Sequence, residues 1–143
     1  MPQLNSSRVI LGGLAAGLVM NIIDAITNGF LLGARWKVET DALNPGLIAK
    51  AGGSGTLGWV IVDFILGILT VWVYAAIRPR LGPGPQTALT AAFGIWLAAH
   101  AAYASYAFMG YYSWSLVGVS AAGGLVAALA GGYVGARLYT ESA

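Results

Sequence analysis

The chain has no cysteine, a single histidine and very little charge, with 8% of its 143 residues being Asp, Glu, Lys or Arg. Without cysteine it forms no disulfides, offers no thiolate to a metal and has no cysteine nucleophile. One histidine excludes the paired-histidine metal motifs, and no Gly-x-Ser-x-Gly nucleophile elbow occurs. No catalytic residue is therefore assigned, and an enzyme is not the expected reading. Soluble domains carry about 25% charged residues, so the scarcity of charge argues against a water-soluble fold. The seven Lys and Arg residues stand at segment ends and in connections, not in a patch, which leaves no footprint for nucleic acid.

What the chain does have is apolar length. A helix needs about 20 mostly apolar residues to cross a bilayer core, and four runs qualify: 9–32, 57–77, 87–109 and 113–139. Backbone polar groups in lipid must be satisfied within the segment, so such runs are helical. The sequence predicts an all-α, four-helix membrane bundle forming one domain over residues 1–143. The opening MPQLNSSR and its apolar run superficially resemble a secretory signal. That run is too long for one and contains Asn and Asp, so it is read as a retained helix. Residues 35–56 read as the long loop, with an Asn-Pro-Gly turn, a Gly-Ser-rich exit and Trp36 and Lys37 suited to the membrane surface. Residues 78–86, RPRLGPGPQ, form a basic turn stiffened by proline. Arg8, Arg78, Arg80 and Arg137 lie on the side of the termini, against Arg35, Lys37 and Lys50 opposite. The positive-inside rule then places both termini in the cytoplasm, and a bacterial inner membrane is the expected location.

Small residues predict how the helices pack. Gly124, Ala128, Gly132 and Ala136 form one four-residue-spaced row in the last segment, with Gly123, Ala127, Gly131 and Gly135 beside it. Gly13 and Gly17 form a shorter row in the first. Such rows let membrane helices approach closely. Packing within the chain is the first expectation, and two rows on one helix also suggest a second copy or a larger membrane complex as partner, besides the bilayer itself.

Polar residues inside these runs are the lead to function. Gly17, Asn21, Asp24 and Asn28 share one helical face. The second segment carries Trp59, Asp63, Gly67, Thr70 and Tyr74, the third Trp96, His100 and Tyr103, and the fourth Ser113, Ser115 and Ser120. Counting about 1.5 Å per residue along antiparallel neighbours puts Asp24, Asp63, His100 and Ser120 in one layer. A carboxylate at bilayer depth costs roughly 2.5–3.5 kcal/mol on insertion scales, and no Lys or Arg lies within a segment to offset it.

Three roles suit such a layer. Intramembrane acids with a titratable histidine suit a proton- or cation-coupled transporter or channel, with Asn21, Asn28 and Tyr103 orienting what is bound. Two Asp and one His are acceptable ligands for zinc, manganese or iron, although each stands alone on its helix. Buried polar groups also hydrogen-bond across helices to fix register, as in a non-catalytic accessory subunit of a larger complex, contacting pigment or lipid. There His100 would be the axial ligand of a haem or chlorophyll, but Trp96 one turn away crowds a flat macrocycle, and no cofactor is expected. The aromatic stretch YASYAFMGYYSW reads as an interfacial belt, with Tyr103, Tyr106 and Tyr112 at the mouth of any opening.

NIIDAITN in the first run and VWVYAAIRPRLGPGPQTAL at 71–89 together resemble a group of small, uncharacterised bacterial four-helix membrane proteins with a similar aromatic-AAIRPR-Gly-Pro turn. The resemblance implies the same topology and supplies no catalytic residues. The topology alone is also similar to that of the small multidrug exporters, from which the second acid and the longer first loop depart.

Overall fold

The structure is a computed structural model that describes residues 4–141. Helix α1 (Ser6–Asp24) starts where the Asn5 side chain accepts a hydrogen bond from the Arg8 amide, 3.2 Å away. It runs without interruption into a π-helical segment, Ala25–Leu31. There follow α2 (Gly33–Leu43), α3 (Leu47–Leu81), α4 (Pro85–Tyr103), the single turn α5 (Ser105–Phe108) and α6 (Trp114–Leu138). Pro85 opens α4, where its missing N–H costs nothing. Ser113 caps α6 by accepting from the Leu116 amide. No strand occurs among the described residues.

Four helical spans are long and apolar enough to cross a membrane: Ser6–Leu31, Leu47–Leu81, Pro85–Phe108 and Trp114–Leu138. The expected four-helix bundle is present, and the first three spans begin earlier than the apolar runs suggested. The largest difference is the long loop over 35–56, most of which is helical. Lys37 pairs with Asp41 at 2.6 Å and Arg35 with Glu39 at 3.5 Å, both one turn apart along α2. After the Asn-Pro-Gly turn, α3 begins ten residues early and bends at Gly52, whose φ of +52° interrupts the helical path.

The helices form a ring in which α1 packs on α3 and α6, α4 packs on the same two, and α3 meets α6 across the diagonal. Large apolar side chains point outward, as Ile10, Leu14, Leu18, Ile22, Ile26 and Phe30 do at four-residue steps along α1 and its π extension. The interior is small. Gly12 and Ala16 face Gly135 and Gly131 of α6, while Gly13 and Gly17 face Ile68 and Phe64 of α3. Both rows of α6 are used within the chain: Gly123, Gly131 and Gly135 against α1, and Gly124 and Gly132 against α4. Of the remaining row members, Ala127, Ala128 and Ala136 are buried. Gly67 makes the closest fit, since a β-carbon there would lie 2.5 Å from the Gly13 carbonyl oxygen and from the Gly17 nitrogen. With lipid outside as apolar as leucine, this close backbone approach supplies the contact that holds the helices together.

The end of the bundle that carries both termini is closed by aromatics. Tyr74 and Tyr139 meet edge to face at 6.0 Å, and Arg78 lies over the Tyr139 ring at 5.7 Å. Arg78 also pairs with Glu141 at 3.5 Å.

Candidate functional site

Asp24 ends the regular part of α1, and Asp63 lies on the facing side of α3, 7% exposed. Their carboxyl groups are within hydrogen-bond reach of each other, and His100 lines the same small cavity. These three residues line a cavity of about 30 Å³, together with Met20, Leu66, Trp96 and Gly124 among others. That volume matches about one water molecule. Oxygen Oδ1 of Asp24 is buried there and has no hydrogen-bond partner. A hydrogen bond between two carboxyls requires a proton on one of them, because a pair of carboxylates contains no donor.

His100 is fixed by its own helix. Its Nδ1 lies 3.0 Å from the Trp96 carbonyl oxygen. A carbonyl only accepts, so Nδ1 carries a hydrogen and Nε2 is the nitrogen left to gain or lose one. Trp96 stacks on the imidazole with ring centres 5.3 Å apart and anchors its indole N–H on the Ala121 carbonyl of α6, 2.9 Å away. The other flank is Gly124, where a β-carbon would lie 2.6 Å from Nε2. The stacked indole covers one ring face, and α6 approaches Nε2.

The structure therefore brings Asp24, Asp63 and His100 to one cavity, and gives the other anticipated residues separate tasks. Asn21 donates to the Gly17 carbonyl (2.9 Å) and the Val60 carbonyl (3.2 Å), clasping α1 to α3. Asn28 is turned toward α6 by the π segment, and its Oδ1 accepts from Ser120 Oγ at 2.7 Å and Trp36 Nε1 at 3.2 Å. Tyr103 stands beside His100 and Trp36, at 6.3 Å from each. Trp59, expected on the Asp63 face, is instead 64% exposed toward the surroundings.

Sequence reasoning missed the roof over this layer. Helix α2 lies across the start of α6, where Glu39 accepts from the Ser113 amide and hydroxyl, both at 2.7 Å. Arg35 donates to the Ser113 and Ser115 hydroxyls at 3.3 and 3.2 Å. Partial burial opposes ionisation of Glu39, but the Ser113 donors and Arg35 outweigh it and hold the carboxyl below its ordinary value. Asp41 is held low by its hydrogen bond from Lys37 and by the Gly46 amide. Trp36 had been read as a surface anchor, and the clue to its role was its position one π-helical turn and a short step beyond Asn28.

Among the described residues no three His, Asp or Glu side chains are grouped so as to hold a metal ion together. No family model matches the chain, and no curated protein or solved structure matches it.

Proposed function

We propose that this is a small integral membrane protein that takes up and releases protons at the Asp24–Asp63–His100 site, as a proton-coupled transporter or proton channel. One observation carries the reading: an acid pair with an unpartnered carboxyl oxygen faces a titratable imidazole across a water-sized cavity between four membrane-length helices. Purely structural polar residues pair off, as Asn21, Asn28, Ser120 and Trp96 do. The acids differ, since their contact needs a mobile proton and Asp24 keeps an oxygen free. The cavity is too small for an organic solute. A bare metal cation would also find few oxygens there, because the carbonyls of the surrounding helices are engaged in helical hydrogen bonds.

The alternative, a non-catalytic accessory subunit whose polar residues fix register, would dock its partner through small-residue faces, and the rows of α6 are filled from within the chain. The orientation we favour puts both termini on the cytoplasmic side of a bacterial inner membrane, supported by Arg8, Arg78, Arg80 and Arg137 at the terminal end. The test is proton flux into proteoliposomes containing a pH-sensitive dye, under an imposed pH gradient and with potassium and valinomycin to balance charge. Wild-type protein should acidify the lumen faster than empty vesicles, and Asp24→Asn and Asp63→Asn should abolish the difference. Equal flux in all three proteins would remove the site from the mechanism.

A further inference from the structure

Two lines of contact climb from the cavity toward α2. On α4 the rings of Trp96, His100 and Tyr103 follow one another, and the series continues through Trp36 to Tyr112, 5.1 Å further. Beyond Asp24, in the π segment, Asn28 forms a second, polar line that joins Ser120 of α6 to the indole N–H of Trp36. Both lines end on the same residue. The Trp36 ring completes the aromatic column, and its N–H completes the polar node.

The other direction is shut in a different way. Between the cavity and the terminal end lie Gly12, Ala16, Val71, Ala92, Gly131 and Gly135 in near backbone contact. A polar interruption there is the Thr70 hydroxyl, buried without a partner. Counting along the span from Ser6 to Leu31, Asp24 lies about 27 Å from the terminal end and about 10 Å from the α2 end. The plug is long and made of backbone, whereas the cover is short and made of side chains.

The cover is also fastened lightly. Helix α2 is held to α6 by the Glu39, Arg35 and Ser113 contacts, which are exposed, and by Thr40 against the Tyr112 hydroxyl at 3.3 Å. Water can replace such surface contacts at small cost. Turnable points flank the helix: the end of the π segment on one side, and Gly46 with a φ of +76° on the other.

We propose that Trp36 is the gate residue of the acid–histidine cavity, and that α2 is a strap whose displacement admits water from the α2 side alone. What the opened site exchanges rests on the proton reading above, but the opening itself does not. The absence of cysteine gives a direct test. A single cysteine replacing Ala99, which lines the cavity, is titrated in reconstituted vesicles with a membrane-impermeant thiol reagent applied to one side at a time. Removing one hydrogen bond and two aromatic contacts multiplies the opening equilibrium by about tenfold or more, so Trp36→Ala should speed labelling by that factor from the α2 side.

Trp36→Phe keeps the ring and loses the N–H, so it should give a smaller rise, and it serves if the alanine variant does not assemble. A cysteine at Ala91, buried in the plug, is the control and should stay slow throughout. Unchanged labelling at position 99 would overturn the gate, as would a rise equal from both faces or shared by position 91. Labelling needs no flux. Gated labelling without flux refutes the proton reading alone, and ungated labelling with flux refutes the gate alone.

Discussion

Replacing Gly67 by alanine tests whether the distance between α1 and α3 sets the chemistry. A β-carbon at Gly67 would lie 2.5 Å from the Gly13 carbonyl oxygen and the Gly17 nitrogen, and ordinary contact begins at 3.4 Å. The two backbones must therefore part by about 0.9 Å, the difference between those distances. Neither obstacle is a flexible side chain, so the helices themselves must move. Overpacking of this kind costs about 1–3 kcal/mol. Alanine returns about 0.5–1 kcal/mol through its better helix propensity, leaving a net loss of up to about 2.5 kcal/mol.

Gly94 provides the internal control, because it lies within α4 with nothing inside 4 Å of a β-carbon. The same substitution there should be neutral or stabilise by up to about 1 kcal/mol. Unfolding in mixed detergent and SDS, followed by tryptophan fluorescence, reads both. The parting at Gly67 is transmitted one turn up α3 to Asp63, whose contact with Asp24 spans the same interface. Gly67→Ala should therefore also lower proton flux, while Gly94→Ala leaves it intact. If the two variants prove equally stable, the claim that backbone contact at Gly67 holds α1 against α3 is wrong.

Asp63→Asn should stay within about 1 kcal/mol of wild-type stability, because its amide can still donate to Asp24, yet lose flux; a matching loss of stability would point to a structural acid pair. Gly124→Ala drives a β-carbon into the space of His100 Nε2 and should reduce flux as far as His100→Gln does, whereas flux at the wild-type level would show that the imidazole is not in the path. Asn21→Ala removes the clasp from α1 to the Val60 carbonyl and should cost about 0.6–2 kcal/mol in the same unfolding assay. Glu39 is held below its ordinary value of 4.5, so the fastening of α2 is full above that value and is lost as pH falls through the lower folded one. Trp36 emission should accordingly shift to the red only at acid pH, and Glu39→Gln should remove that transition and leave the emission shifted at every pH.

Much of the architecture was legible because lipid imposes a length rule that four apolar runs obey. The shared height of Asp24, Asp63 and His100 could be counted from antiparallel neighbours at a fixed rise per residue. Helix α2 was hidden because that rule registers apolar residues only. Its local supports, Arg35–Glu39 and Lys37–Asp41, are each worth only about 0.3–0.5 kcal/mol. What seats it is Glu39 on Ser113, 74 positions apart, a contact no local pattern announces. Asn28 was placed on the face of Asp24 by a 3.6-residue period. The π segment widens that turn, and the amide swings to Ser120 and Trp36 instead. Such wide turns recur at functional sites, but the string AITNGFL contains nothing that demands one.

The small-residue rows of α6 show why spacing alone could not divide packing from function. Near the terminal end the row facing α1 meets backbone: a β-carbon on Gly131 would lie 2.7 Å from the Ala16 carbonyl oxygen, and one on Gly135 2.6 Å from that of Gly12. Two turns nearer α2, the same rows meet side chains, with Gly123 against Thr27 and Gly124 against the His100 ring. Identical spacing first draws helices together and then makes room between them. The change occurs at the height of the acid pair, because a cavity needs its walls apart where its plug needs them in contact. A glycine row in a membrane helix thus has no single meaning, and the partner atom opposite each glycine decides whether its absent side chain serves adhesion or space.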